Sequence, residues 1–378
     1  MNRQSTEIAV VGAGVVGLAM ALAAGRRGRR VTVFEREATA IGASVRNFGL
    51  VLPLSQPPGP LHDRALRSRE IWLELAQAAG LHHSAEGLLV LARHADELRV
   101  LEEYLEQTDG SQHGRRLLTP FEATRLSAAA RPEGLLAALY SPTEMVIDPR
   151  EAIRSLPRHL HDRHGVEVRH STLVREANAG RLETTAGSWT AEEVIICSGA
   201  DFQTLYPEQF ARSGLQRVKL QMLRTVSQPA GWKLGPALCA GLSLTHYPAF
   251  RGCPGLAELR ARLERELPFH VANGIHLLAT QTGAGQITIG DSHHYGHTVD
   301  PFDSEAVNTA MLDYFAAFAR LPRPEIQERW HGVYAKHPEQ VDVLLEPEPG
   351  VTVVGGLGGA GMTFAFGLAE ELARARGW

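Results

Sequence analysis

Residues 10–17 read Val-Val-Gly-Ala-Gly-Val-Val-Gly, a GxGxxG spacing set between an apolar strand at 7–11 and an apolar helical stretch that runs to residue 25. Each glycine has a separate task in such a turn. Gly12 allows the tight reversal, Gly14 lets the backbone approach a pyrophosphate, and Gly17 lets the helix pack close to the strand. The helix N-terminus then faces the phosphates with its free N–H groups. A second apolar strand at 30–35, Arg-Val-Thr-Val-Phe-Glu, completes a βαβ unit and ends on Glu35. A carboxylate there accepts hydrogen bonds from ribose hydroxyls and repels a 2′-phosphate, which disfavours NADP. The nucleotide set drawn from this unit is Gly12, Gly14, Val16, Gly17, Glu35 and Arg36. By itself the unit does not separate FAD from NAD.

The other end of the chain makes that distinction. Residues 355–363, Gly-Gly-Leu-Gly-Gly-Ala-Gly-Met-Thr, join an apolar strand at 351–354 to a final helix from about 362 to 374. Without side chains, such a loop brings backbone N–H groups up to a planar ring. The helix dipole favours negative charge at its start. Reduced flavin is anionic around N1 and O2, so the loop suits FAD.

The chain has 378 residues, enough for two domains. Its 44% hydrophobic and 21% charged content is that of a globular protein, and a formal charge of −4 excludes a strongly basic nucleic-acid binder. The apolar stretch at 8–25 is broken by glycines and lacks the basic flank and cleavage site of a signal peptide. No other run reaches the roughly 20 apolar residues of a membrane span. Cys197, Cys239 and Cys253 show no CxxC spacing and no disulfide framework, so a cytoplasmic location is expected. Helical patterns fall at 61–80, 95–107, 120–126 and 255–267, and Asp148-Pro149 opens another helix as N-cap and first turn. Strands are expected at 87–92, 166–170, 181–185, 194–197, 217–226, 274–279 and 286–291.

Several ordered motifs resemble the D-amino-acid oxidase/glycine oxidase/sarcosine oxidase superfamily of FAD enzymes. They are Gly12 to Gly17 with Glu35, the stretch 42–49 (Gly-Ala-Ser-Val-Arg-Asn-Phe-Gly), 197–200 (Cys-Ser-Gly-Ala), 329–332 (Arg-Trp-His-Gly) and the last glycine loop. The segments 44–49, 219–222 (Lys-Leu-Gln-Met), 290–293 (Gly-Asp-Ser-His) and 358–363 are also similar to a bacterial subgroup associated with aminophosphonate breakdown. The resemblance implies an α/β (α+β) architecture: a two-domain, FAD-binding Rossmann-type fold with a mostly antiparallel substrate domain. It divides the chain into a discontinuous FAD-binding domain of 1–82, 145–215 and 326–378 and a substrate domain of 83–144 and 216–325. It further implies that Ser44, Arg46 and Asn47 border the flavin, and that Val174 offers backbone contacts to adenine. Ser198, Gly199, Gly358, Gly359, Gly361, Met362 and Thr363 complete the cofactor set.

The amino-acid oxidases hold a substrate carboxylate with an arginine shortly after Trp-x-Gly and another near the glycine loop. Here Trp330-His331-Gly332 is followed by Val333 and Tyr334, and the loop reads Gly358-Gly359-Ala360, so neither clamp is evident. The cations left to bind an anion are Arg46, Lys219, Arg224 and Lys336, with His276, His293, His331 and Tyr334 as hydrogen-bonding partners. Arg46, Lys219, His276, His331 and Tyr334 make up the candidate catalytic set. Asp291, His293, His294, His297 and Asp300 suggest a metal site, but consecutive histidines on a strand point to opposite faces, so no metal is expected. The resulting expectation is oxidation of the C–N bond of a small anionic amine, first an aminophosphonate related to 2-aminoethylphosphonate. Hydride would pass to flavin N5, the imine would hydrolyse, and oxygen or another acceptor would reoxidise the flavin. Glycine, sarcosine, a D-amino acid or a hydroxy acid are alternative substrates. A hydroxy acid needs a base such as His276 or His331. A flavin-binding protein without catalysis is the remaining alternative.

Overall fold

The computed structural model describes residues 4–108, 113–178 and 180–378. Residues 1–3, 109–112 and 179, which fall within the domain segments inferred from sequence, lie outside the described residues. An eight-stranded sheet is built around the first strand, Gln4–Val11. That strand runs parallel to Val31–Phe34 on one side and to Gly187–Ile196 on the other. The parallel set continues to Glu167–Arg169 at one edge and Val351–Gly355 at the other. Val174–Asn178 and Arg181–Thr184 extend it as an antiparallel ribbon.

The helix Val15–Gly25 is buried on nearly every face because it is covered by the sheet and by the helices Pro149–His164 and Gly361–Arg376. Its close seating needs a residue without a side chain. A Cβ on Gly17 would stand 1.9 Å from the Gly12 carbonyl oxygen, and one on Gly12 would stand 2.5 Å from that of Cys197. The helix Pro60–Ala79 buries His62, Ala65, Ser68, Ile71, Trp72, Leu75 and Ala76, the single stripe that a 3.6-residue period produces. Its fully buried Trp72 donates through Nε1 to the Met362 carbonyl at 2.8 Å and so ties the start of the terminal helix in place.

The second sheet has nine strands and is antiparallel except where Ala237–Ala240 runs beside Leu88–Ala92. Its longest pairing joins Gln216–Thr225 to Ile326–Lys336. Sheet membership therefore puts 326–336 with the antiparallel sheet, whereas the sequence reading grouped 326–378 with the nucleotide-binding segments. The reason is hydrogen bonding along the full length of that pair, which no local pattern records. Three other expectations shift. The strand read at 194–197 begins at Gly187. The strand read at 274–279 is Leu278–Gln281, and the residues before it are held by a two-bond pairing of His276 with Asp291 (N···O 3.2 and 3.0 Å). The helical piece read at 255–267 is Leu256–Glu266, followed at once by Pro268–Ala272. Among the described residues no helix is long and apolar enough to cross a membrane.

Candidate active site

A cavity of about 980 Å³ runs from the first βαβ turn to the face of the antiparallel sheet. At one end it is bordered by Gly12, Gly14, Val16, Glu35 and Arg36. Glu35 is buried, and its Oε2 accepts the Ala13 amide at 2.9 Å while Oε1 accepts the Glu37 amide at 3.0 Å. A carboxylate offers about four lone-pair directions, so two remain for hydroxyl groups. The helix Val15–Gly25 has Gly14 as N-cap and no side-chain cap of its own. Ser44 Oγ accepts the Val15 amide at 2.9 Å, and the other first-turn N–H groups have no partner within the helix. Asn47 holds the 43–49 turn closed, donating to the Ala43 and Ser44 carbonyls at 3.0 Å each and accepting the Gly49 amide at 2.7 Å. Val174, Ser198 and Gly199 border the same region, and exposed Arg36 pairs with Asp201 at 2.7 Å. Gly17 does not border the cavity; it serves the packing described above.

The helix Gly361–Arg376 starts at the cavity without a side-chain cap, after the turn Gly358–Ala360. Gly358, Gly359, Gly361, Met362 and Thr363 all border it. Thr363 Oγ1 accepts the Leu52 amide at 3.1 Å, so its hydroxyl also fixes the wall. Across the turn stand Tyr334 and Lys336. A Cβ on Gly359 would lie 3.4 Å from the Tyr334 hydroxyl, and one on Gly358 would lie 3.4 Å from the Lys336 side chain. The glycines thus keep open a slot between the turn and the strand. Two uncapped helix starts, a buried carboxylate and this slot fit a dinucleotide with a planar anionic ring.

The antiparallel sheet contributes the polar end. His246, Tyr247, Arg251, His276, Asp291, His293, Tyr334 and Lys336 border the cavity there. The His246 and His276 rings stack at 3.6 Å between centroids, and His276 and His293 at 4.8 Å. His293 Nδ1 lies 3.0 Å from the Gly274 carbonyl, so that nitrogen carries the proton in the neutral ring. Burial lowers the pKa of all three imidazoles, His293 to about 4. Burial raises that of Asp291 well above the carboxylate range. His276 Nδ1 is buried without a hydrogen-bond partner, and Asp291 Oδ1 makes no aligned hydrogen bond although His276 Nε2 stands 3.3 Å from it. Among the described residues neither Lys336, Arg251 nor Arg46 has a carboxylate within 4 Å; burial, then Arg251, lowers the Lys336 pKa.

Of the five candidate catalytic residues, Arg46, His276 and Tyr334 border this cavity. Lys219 and His331 do not. Lys219 Nζ pairs with Asp303 at 2.8 Å and donates to the Phe302 carbonyl, and His331 Nδ1 lies 3.1 Å from the same Asp303. The cause is strand alternation: Leu220 and Met222 border the cavity, so Lys219, one residue before Leu220, points to the other face. Tyr334 and Lys336 share one face of their strand, and His331 takes the opposite one. Arg224 is also elsewhere, 5.4 Å from the Trp330 ring with Nε donating to Thr288. His294 turns away from His293 toward Asn273 Oδ1 at 3.1 Å, as alternation requires. Sequence reasoning missed His246, Tyr247 and Arg251. The available signal was Thr-His-Tyr-Pro at 245–248, a polar and aromatic loop between apolar segments.

A family model described as DAO, FAD dependent oxidoreductase, matches residues 7–375. A glycine oxidase of Geobacillus kaustophilus (strain HTA426) is 27% identical over 205 residues, covering 51% of this chain and 54% of that protein. A mitochondrial L-2-hydroxyglutarate dehydrogenase of Arabidopsis thaliana is 30% identical over 159 residues, covering 41% and 32%. The matched stretches thus span about half or less of these relatives' own lengths. The crystal structure of glycine oxidase from Geobacillus kaustophilus superimposes with a TM-score of 0.76 at 21% identity, covering 98% of this chain and 94% of that one. That likeness is one of fold, and it extends over both sheets.

Proposed function

The chain belongs to the DAO family of FAD-dependent oxidoreductases, with FAD as its cofactor, and from that premise we propose that it oxidises the C–N bond of a small anionic amine. The observation that carries this reading is the set of cations at the antiparallel end of the cavity. Lys336 and Arg251 there, with Arg46 elsewhere on the wall, have no carboxylate within 4 Å among the described residues and stand beside neutral imidazoles and tyrosines. Lys336 and Arg46 are half-buried and Arg251 is exposed, and a partly desolvated cation is best satisfied by a ligand of opposite charge. A phosphonate offers three oxygens to donors that come from separate segments, as Lys336, Arg251 and Arg46 do, whereas a carboxylate has only two. An aminophosphonate related to 2-aminoethylphosphonate is therefore the first choice of substrate, in keeping with the motifs at 44–49, 219–222, 290–293 and 358–363. An amino acid is second.

In this reading Gly12, Gly14, Val16 and Ser44 hold the pyrophosphate, Glu35 the ribose, and Val174, Ser198 and Gly199 the adenosine end. Asn47 and the 358–363 turn hold the ring. When bound, the flavin supplies the hydride acceptor. The chain's own residues bind and orient the amine, exclude water from the slot between Tyr334 and Gly359, and hold its anionic head. The amine must react in its neutral form, and the His276 imidazole, which borders the cavity and is kept neutral by burial, is a group able to take the ammonium proton. The FAD-binding unit is drawn from 1–82, 145–215 and the C-terminal segment, and the substrate unit from 83–144 and 216–325, with strand 326–336 on the substrate side.

Anaerobic bleaching of the flavin tests the proposal, with 2-aminoethylphosphonate, glycine, sarcosine, D-alanine and a hydroxy acid as the panel. Bleaching fastest with the aminophosphonate, with Lys336→Met lowering kcat/KM for it by about tenfold or more, is the expected result. Turnover of amino acids but not of aminophosphonates would overturn the substrate assignment.

A further inference from the structure

Three histidines from separate parts of the chain converge at one end of the cavity. Their ligand-type nitrogens all lie within 4.8 Å of one another. His246 follows the short helix Gly241–Leu244, His276 precedes the strand Leu278–Gln281, and His293 follows Ile287–Gly290. Imidazoles this close cannot all be charged, because like charges a few ångströms apart in a buried site exclude one another. The other groups facing them are Tyr247 and Arg251 from the first segment, Asp291 and Tyr295 from the third, and Tyr334 and Lys336 from the strand Ile326–Lys336. His294 faces away. Asp291 lies against two of the rings, Oδ1 3.3 Å from His276 Nε2 and Oδ2 4.0 Å from His293 Nε2, and burial favours its protonated form, so the fixed charges beside the cluster are the cations Lys336 and Arg251.

Two ligand classes suit clustered imidazoles: a divalent metal and an oxyanion. The surroundings decide between them. A metal dication would sit beside two cations that have no carboxylate within 4 Å among the described residues, and Asp291, the one carboxylate against the rings among those residues, is buried in surroundings that favour its protonated form. A site built for a cation does the reverse. The stacked rings also present their faces to one another, whereas metal ligands aim their nitrogens at one point. An oxyanion meets the fixed positive charge and can be met further by a protonated imidazole.

We propose that His246, His276 and His293 form a proton-storing cradle for the tetrahedral anionic head of the substrate. Lys336 and Arg251 draw the head in, and one proton comes onto the cluster with it. This rests on the reading of the substrate as an anionic amine, and it adds a role for His246 and His293, which that reading leaves idle. The proton balance is simple. A zwitterionic substrate transfers its ammonium proton to the cluster, leaving the neutral amine that reacts and an imidazolium beside the head. An anion without an amine takes that proton from solvent. The cluster stores no more than one proton, because a second would place two charges within a stacked pair. Burial holds the free cluster neutral near pH 7, His293 down to about 4, and an anion at hydrogen-bond distance raises these values. Proton uptake is therefore present between the free and the bound pKa and is lost above the bound one.

The test uses the FAD-loaded protein and ethanesulfonate, a tetrahedral anion that does not titrate near neutrality and carries no amine. Calorimetric titration at pH 7.5 in two cationic buffers of different ionisation enthalpy reads the proton count directly. About one proton taken up per site is expected, with the dissociation constant rising up to about tenfold per pH unit as pH increases. His276→Asn and His293→Gln are each expected to lower the proton count while the flavin absorbance stays that of the wild type. Binding with no proton uptake, and with affinity flat from pH 6.5 to 8.5, would overturn the cradle. So would a stoichiometric metal in the purified protein that His293→Gln removes. The two proposals fail separately. Proton-linked ethanesulfonate binding without turnover of any anionic amine removes the proposed function alone, and aminophosphonate turnover without proton uptake removes the cradle alone.

Discussion

Replacing Glu35 by Gln isolates the contribution of one carboxylate to cofactor binding. The substitution preserves size, so the strand Val31–Phe34 and its buried neighbours are undisturbed. What changes is the pattern of donors and acceptors. Both carboxylate oxygens already accept backbone amides, Ala13 at 2.9 Å and Glu37 at 3.0 Å, and each has one lone pair left for the ribose. A carboxamide has a single oxygen, so one of the two amides faces an NH₂ group and the ribose loses a charged acceptor. Hydrogen bonds to charged groups contribute about 1.5–3 kcal/mol, which corresponds to a loss of roughly 10- to 150-fold in FAD affinity. Equilibrium dialysis with flavin fluorescence measures that constant. Urea unfolding of the FAD-free protein measures the separate cost of the unmet amide, about 1–3 kcal/mol. An unchanged FAD constant in a variant that folds would refute the assignment of Glu35 to the ribose. A change in apoprotein stability with no change in affinity would reduce Glu35 to a brace for the 12–14 turn.

Two further perturbations follow from the packing. Gly17→Ala would drive a methyl group against the Gly12 backbone carbonyl, where no flexible side chain can move aside; a loss of about 3 kcal/mol in urea unfolding is expected, together with weaker FAD retention. Below neutrality the protein should lose stability. Burial lowers the His293 pKa to about 4, and burial with the charge of Arg115 does the same for His62, whose Nε2 lies 2.8 Å from the guanidinium. Unfolded histidines titrate near 6.5, so between 6.5 and 4 the unfolded chain binds more protons and stability falls with falling pH. The slope is about 1.4 kcal/mol per pH unit for each histidine, and unfolding at pH 7.5 and 5 should show His293→Gln with a shallower dependence than the wild type.

The parts of the site that were legible beforehand are those written in contiguous residues. Gly12 to Gly17, Glu35, Ser44 to Asn47 and the 358–363 turn each carry their geometry in local backbone requirements, and all but Ala13, Gly17 and Val45 border the cavity. The cations were harder. Arg46 and Lys336 were named and border it, but Lys219 was named and does not, because a residue on a strand faces one side or the other by a single step of register. Its neighbour Leu220 takes the cavity side, and Asp303, 84 positions away in sequence, takes up the charge of Lys219.

The sequence by itself determined the nucleotide-binding βαβ turn, the acid that follows it, the second uncapped helix start and the mixed α/β class with its antiparallel portion. These follow from spacing and period, which act over a few residues at a time. Only the tertiary structure decided that Ile326–Lys336 pairs with Gln216–Thr225, and that His246, Arg251, His276, Asp291, His293 and Lys336 share one end of the cavity. Those residues come from loops and strand ends whose positions depend on long-range hydrogen bonding and on which face of each strand is turned inward. Neither is encoded in any single stretch of chain.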